Sequence, residues 1–141
     1  MNLTQAAAHL RSLSLQPGDF AVFGSGPLLA RGIISDVNDL DVIARGEAWQ
    51  RAAATGTPVH LPNLAITIAS FHDGLVTVGS AWAIGEVDID ELIDTADDFY
   101  GIPYVRLEHV VAYKRLAGRP KDLDHLRKLE RWQRSHGVSD Y

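Results

Sequence analysis

Between Phe20 and Ala44 the chain reads FAVFGSGPLLARGIISDVNDLDVIA. A short apolar run, Phe20 to Phe23, reads as a buried strand and halts at Gly24-Ser25-Gly26. Pro27 suits a first helical position, so Pro27 to Arg31 reads as a short helix closed by Gly32. A second strand, Asp39 to Ala44, begins with two aspartates one residue apart. Side chains at i and i+2 of a strand share a face, so Asp39 and Asp41 project together while Leu40 and Val42 turn to the core. Paired carboxylates raise each other's pKa unless a cation lies between them. A divalent ion removes that penalty, and magnesium typically takes one or two carboxylates plus substrate phosphates. Backbone N–H groups at a glycine turn opening a helix suit an anion. The plainer alternative is a polar turn at Asp36, Asn38 and Asp39, with Asp41 a solvated strand residue.

Three other motifs compete for the glycines. A Walker loop needs Gly-Lys-Ser/Thr after four intervening residues, where this chain has Leu28-Leu29-Ala30-Arg31. A nucleophile elbow needs glycine two residues before the serine, and Phe23 stands there. A dinucleotide-binding turn fits Gly24-x-Gly26 and Ala30. Its ribose-binding acid, however, ends the second strand, whereas Asp39 and Asp41 begin theirs. With Asp39 fifteen residues after Gly24, there is also too little chain for a full crossover helix. A phosphate-binding turn beside a metal-binding strand, the arrangement nucleotidyl transfer requires, fits the order and spacing better.

Outward from this stretch, Thr4 is the expected cap of a first helix running to about Ser14, stopped by Pro17-Gly18. Gly46 to Ala54 reads as a helix. Leu64 to Ser70 and Gly74 to Ser80 read as strands of a hairpin joined at Asp73-Gly74. Asp90 to Tyr100 reads as one helix ending at Gly101. Leu107 to Ala117 and Asp122 to Ser135 read as two helices split by Gly118-Arg119-Pro120. In the last, Leu123, Leu126, Leu129 and Trp132 recur at helical spacing as a core-facing stripe. The expected fold class is α+β: a small mixed sheet flanked by helices, with a C-terminal helical pair. One domain is expected over 1–141, with a core at 18–89 and a helical part at 90–135.

The 141 residues contain no cysteine, which excludes disulfides, thiolate metal sites and a cysteine nucleophile. Met1 to Leu15 has no apolar core of a signal peptide. The longest uncharged stretch, Ala52 to His72, is broken by two prolines and carries two histidines, so no membrane span is expected, and the cytoplasm is the expected compartment. The net charge of −5 is uneven. Glu86 to Asp98 holds seven acids and no base, while Lys114 to Arg134 holds eight bases against three acids. Such runs are ordinarily solvated faces. The sharper alternative lays the basic segment across the acidic site, where a phosphate substrate would meet cations as well as metal ligands. The six histidines show no metal-ligand spacing, and Trp49, Trp82 and Trp132 read as packing residues.

At Phe20-Ala-Val-Phe-Gly-Ser-Gly and Asp39-Leu-Asp41 the sequence resembles the polymerase-β-like nucleotidyltransferase superfamily. Its pattern is a strand, Gly-Ser or Gly-Gly, about a dozen residues, then Asp-x-Asp opening a second strand. The downstream segment YKRLAGRPKDLDHLRKL, Tyr113 to Leu129, is similar to one in small bacterial nucleotidyltransferases, including those resembling abortive-infection toxins. The resemblance implies that Gly24 and Ser25 hold the terminal phosphates of an NTP, and that Asp39 and Asp41 bind Mg²⁺ or Mn²⁺. It further implies that Lys114, Arg119 and Lys121 neutralise phosphate or orient the helices. Asp122 reads mainly as a cap, and Asp124 as a first-turn acid favoured by the helix dipole.

The family's usual third carboxylate, on a later strand, is missing: Leu75 to Trp82 contains no acid, and Thr77 aligns with its place. Asp73 and Asp88 flank the strand as substitutes, and Asp90 reads as a helix cap. Two functions follow. One is transfer of NMP from an NTP to a hydroxyl acceptor on a small molecule, a protein or RNA. The other is an inactive module of this fold that binds nucleotide or a protein partner, as in a toxin–antitoxin pair. A homo-oligomer is compatible with either.

Overall fold

The computed structural model describes residues 1–62, 66–80 and 88–137. A sheet of seven strands runs through it in the order β3-β4-β5-β2-β1-β7-β6. The strands are β1 Phe20–Phe23, β2 Leu40–Ala44, β3 Thr57–Leu61, β4 Ile66–Phe71, β5 Val76–Gly79, β6 Asp97–Phe99 and β7 Ile102–Tyr104. The helices are α1 Leu3–Ser12, α2 Gly26–Ala30, α3 Gly46–Thr55, α4 Ile89–Asp94, α5 Leu107–Ala117 and α6 Pro120–Ser135. The sheet is mixed, since β2 runs antiparallel to β1 but parallel to β5, and β7 is parallel to β1. The α+β class and the C-terminal helical pair are as the sequence predicts.

All four residues of β1 are buried, as are Leu40, Val42, Ile43 and Ala44 of β2. Such apolar runs favour the middle of a sheet, covered on both faces. Their ends are pinned by local chemistry. The Leu40 N–H donates to the Leu75 carbonyl at 2.8 Å, and the Met1 ammonium donates to the Val37 carbonyl at 2.6 Å. At the far end of β2, Arg45 pairs with Asp90 at 2.8 Å and Asp94 at 2.6 Å, and also donates to the Gly18 carbonyl. That guanidinium fastens α4 to the strand it contacts.

The sequence reading needs correction in several places. The cap of α1 is Asn2, not Thr4: Asn2 Oδ1 accepts the Gln5 N–H while Gln5 Oε1 accepts the Asn2 N–H. That reciprocal box satisfies two helix-end donors at once, which Thr4 inside the helix cannot do. Strand β3 had no counterpart, because Pro58 and the exposed polar residues beside it hide an edge strand. Asp90 to Tyr100 is not one helix. It is α4, capped by Asp88 rather than Asp90, followed by a β6–β7 hairpin. Tertiary contacts override helix propensity there: Arg31 reaches Asp97 at 2.6 Å and lies over the Phe99 ring at 4.9 Å. Tyr100 and Gly101, both at positive φ, make the two-residue turn. The expected strand start at Leu64, and Trp82, lie outside the described residues. Among the described residues no helix is long and apolar enough to cross a membrane.

Gly26 is where β1 must give way to α2 in very little space. A Cβ there would lie 2.5 Å from Val22 Cγ1 and 3.5 Å from Leu40 Cδ2, both in the core. Gly26→Ala should therefore cost about 1–3 kcal/mol through overpacking, read as a lower urea midpoint at an unchanged m-value.

Candidate functional site

The end of β1 and the start of β2 meet because Phe23 pairs with Asp41 across the antiparallel ladder. The next residue, Gly24, has φ +70°, a conformation that favours glycine, and it passes directly over the carboxylate. A Cβ on Gly24 would lie 3.0 Å from Asp41 Oδ2. A side chain at position 24 would thus crowd the carboxylate. On the other side of β2, Asp41 stands opposite Thr77 of the parallel strand β5, and Thr77 Oγ1 donates to Asp41 Oδ1 at 3.0 Å.

Asp41 is half-buried, and Asp39 is exposed just before the strand. Burial is the largest influence raising the Asp41 pKa, and the Asp39 charge adds to it. The Thr77 hydroxyl and the charges of Lys121 and Arg119 act in the opposite direction. The structure therefore brings Asp39, Asp41, Gly24, Arg119 and Lys121 within one electrostatic neighbourhood. Oxygen donors in a partly desolvated pair suit a hard divalent cation whose remaining ligands come from a phosphate and water. Among the described residues no group of three or more His, Cys, Asp or Glu side chains is arranged to hold a metal. Asp88 is spent on its cap, accepting from Asp90 and Glu91, and Asp73 lies exposed in the β4–β5 turn.

Ser25, half-buried, leads into α2, and its carbonyl accepts from Leu28 and Leu29. Its hydroxyl faces the C-terminal helices. Lys114 of α5, only 1% exposed, donates from Nζ to Ser25 Oγ at 3.2 Å, Asp122 Oδ1 at 3.2 Å and His125 Nδ1 at 3.1 Å. All three ammonium protons are thereby satisfied. Lys114 lies behind the serine and is closed off from solvent. Burial is the chief cause lowering its pKa, and Asp122 opposes the shift.

Asp122 has no exposed surface. It does cap α6, accepting the Arg119 N–H at 3.2 Å, but it also accepts Arg119 Nε at 2.7 Å besides Lys114. Burial alone would raise its pKa, yet the hydrogen bonds and charges of Arg119 and Lys114 together bring it below the ordinary carboxylate value. Arg119 also reaches the Tyr113 hydroxyl at 3.3 Å, and the Tyr113 ring packs edge-on against Phe23 at 5.7 Å. Lys121 is exposed and has no ion-pair partner among the described residues. Asp124 pairs with Lys128 at 3.2 Å. The residue that sequence reading passed over is His125, whose Nδ1 is also 3.3 Å from Ser25 Oγ. It has no second histidine at metal-ligand spacing. Its signal is helical spacing, one turn beyond Asp122.

No protein-family model and no curated protein matches this chain. Among solved structures, it is similar to a protein from Thermotoga maritima that is named a "putative nucleotidyltransferase". The TM-score is 0.59 at 17% identity, over 93% of this chain and 96% of that one. This likeness is one of fold, and the fold is nucleotidyltransferase-like.

Removing one partner of a buried ion pair leaves the other uncompensated, at a cost of about 3–5 kcal/mol. Asp122→Leu, which leaves the Lys114 ammonium buried without its carboxylate, should lower the unfolding free energy by that measure, and Lys114→Met/Asp122→Leu should recover part of the loss. The Asp122 pKa is depressed on folding, so its contribution is complete above the unfolded carboxylate pKa and fades as pH falls through the folded one. Asp122→Asn should flatten the acid limb of a plot of unfolding free energy against pH.

Proposed function

We propose that the chain is a metal-dependent nucleotidyltransferase that moves NMP from an NTP to a hydroxyl acceptor. The observation that carries this reading is the close approach of Gly24 to Asp41, where even a Cβ would crowd the carboxylate. Because Gly24 has no Cβ, an anion on the turn and a cation on the carboxylate can be bound as neighbours. Gly24 and Ser25 would hold the terminal phosphates, with Asp39 and Asp41 as the carboxylate ligands of Mg²⁺ or Mn²⁺. The ion, when bound, supplies charge stabilisation at the phosphoryl oxygens. Arg119 and Lys121 add positive potential on the same side as Asp41. In the reaction, the acceptor oxygen forms a bond to the α-phosphorus and the bond from that phosphorus to the bridging oxygen of pyrophosphate breaks. The chain's contribution is alignment and preorganised charge. The 93% coverage of a solved nucleotidyltransferase-like fold supports the reading.

Thr77 favours a second reading. A hydroxyl, not a carboxylate, faces Asp41 from β5, and it uses one oxygen of Asp41 as its acceptor. A site with two acids and a hydroxyl has one ligand fewer and no evident base for the acceptor proton. On this reading the chain binds metal and nucleotide without turnover, and its output is a protein contact such as that of a toxin–antitoxin pair.

The thermal midpoint with each NTP, with and without Mg²⁺ or Mn²⁺, tests both. A ligand at about 100 times its dissociation constant stabilises by about 2.7 kcal/mol. We expect a metal-dependent shift with wild type and none with Asp41→Asn, whose own midpoint without ligand should be unchanged or higher because a like-charge pair is relieved. An equal shift in the mutant would remove Asp41 from the site. Release of pyrophosphate by wild type separates the enzyme from the binding module. If turnover is absent, Thr77→Asp should tighten Mn²⁺ binding, measured by titration in the absence of nucleotide.

A further inference from the structure

Helix α5 gives two neighbouring residues different tasks. Lys114 is closed in behind Ser25, whereas Tyr113 is half-buried and its ring packs edge-on against Phe23 at 5.7 Å. Phe23 is the last residue of β1 before the glycine turn and the cross-strand partner of Asp41. Directly opposed residues of a ladder share one face of the sheet. Asp41 in turn stands opposite Thr77, so Phe23, Asp41 and Thr77 form one row across three strands. The Phe23 contact therefore sets Tyr113 on the face that carries the Asp41 carboxylate, beside the start of the turn.

Arg119 Nη2 donates to the Tyr113 hydroxyl at 3.3 Å, so the oxygen is an acceptor there and its own proton must go elsewhere. Among the described residues nothing accepts that proton. Burial is the chief cause raising the phenol's pKa; Arg119 opposes it, and the charges of Asp41 and Asp122 add to it. The group is therefore a neutral donor within reach of the Asp41 charge. Arg119 is similar. Its Nε goes to Asp122 Oδ2 at 2.7 Å, and its Nη2 is shared between Tyr113 and Asp122 Oδ1, each at 3.3 Å. Both protons of Nη1 are left without an acceptor among the described residues. What this pair has left to offer is donors alone. Beside carboxylates that suit a divalent ion, such donors fit the oxygens of an anion that the ion also binds.

We propose that Tyr113 is a ligand-contacting residue of this site, donating its hydroxyl proton to a phosphate oxygen of the nucleotide while Arg119 holds the phenol in place. The inference rests on the nucleotide reading given above and adds to it a neutral donor from α5. Two plainer roles make different predictions. A packing residue needs only the ring against Phe23, which phenylalanine supplies equally well. A support for Arg119 needs the hydroxyl as acceptor, yet Arg119 is already fixed to Asp122 through its backbone N–H, Nε and Nη2.

The experiment is titration of the full chain with each Mg·NTP, and with the 2′- and 3′-deoxy forms of the tightest binder, for wild type, Tyr113→Phe and Tyr113→Leu. Side-chain ¹⁵N spectra of the arginines in the free proteins are recorded alongside. We expect Tyr113→Phe to weaken binding about tenfold, by the same factor whatever the base or sugar, with the Arg119 Nε–H still protected from exchange by Asp122. Tyr113→Leu should weaken binding at least as much and also lower the melting temperature of the free chain, since it alone loses the ring packing. Wild-type affinity in Tyr113→Phe would overturn the assignment while leaving the nucleotide site standing. So would a loss accompanied by an unprotected Arg119 Nε–H, which would reduce the hydroxyl to a support. A loss that varied with the base or vanished with a deoxy sugar would also overturn it, by moving the contact off the phosphates. No binding of any Mg·NTP by wild type would defeat the nucleotide reading, and this inference with it.

Discussion

A lysine ammonium with almost no exposed surface imposes a severe local constraint on this protein. Lys114 cannot be buried as a charge unless its protons find acceptors, and the three acceptors come from two other elements: Ser25 leading into α2, and Asp122 and His125 one turn apart on α6. Satisfying one side chain therefore fixes the glycine turn against both C-terminal helices. Apolar packing holds the same elements near each other, with Val110, Val111 and Leu129 buried in the common core. It is non-directional, however, and tolerates small rotations. The hydrogen bonds of Lys114 do not, so they set the register of the helical pair against the turn.

The second constraint is the carboxylate of Asp41, half out of water between two backbone strands. Its surroundings do not neutralise it. Thr77 supplies one hydrogen bond, while burial and Asp39 work against the charge. Arg119, the nearby cation with a fixed geometry, is already bonded to Asp122 and Tyr113. A protein selected for stability alone would gain by replacing Asp41 with an apolar residue, as its core neighbours Val42 and Ile43 illustrate. Retaining a partly desolvated acid beside a second acid is costly unless something positive is bound there part of the time.

How much of this could be read from the sequence depends on whether the cause was local. The β1–turn–α2–β2 unit was legible because Gly24, Pro27 and Gly32 punctuate it, and because strand periodicity alone puts Asp39 and Asp41 on one face. Helices α5 and α6 were legible from Gly118 and Pro120 between them. The β6–β7 hairpin was not, because Asp97 and Phe99 are held by Arg31, which lies 66 residues from Asp97. No local pattern encodes that contact, and Tyr100-Gly101 lacks the Asn or Asp that usually marks such a turn. Leu123 was misread for a related reason. It keeps the helical spacing of a core stripe, yet it is 46% exposed, because the stripe meets the core only from Leu126 onward. At the site, the identities of Lys114 and Asp122 were visible. Their burial was not, since burial of a charge depends on what the rest of the chain brings to it.

The uneven charge of the sequence takes on meaning at the same level. The acids of 88–98 are largely occupied within the fold: Asp90 and Asp94 hold Arg45, Asp97 holds Arg31, and Asp88 and Asp98 bond backbone N–H groups. On α6 the bases split by face. Arg127 and Lys128 share Asp124, Arg134 pairs with Glu130, and Arg131 is exposed, so along this part of the helix the bases lie in solvent or pair within one turn. Lys121 is different: it stands one residue before Asp122, exposed, and its charge reaches Asp41. Most of the basic run is thus a solvated face, and its first turn alone bears on the acidic pair. That geometry makes the junction of α5 and α6 the place where the chain's positive and negative halves can act on one ligand, provided the ligand is itself both an anion and a carrier of a cation.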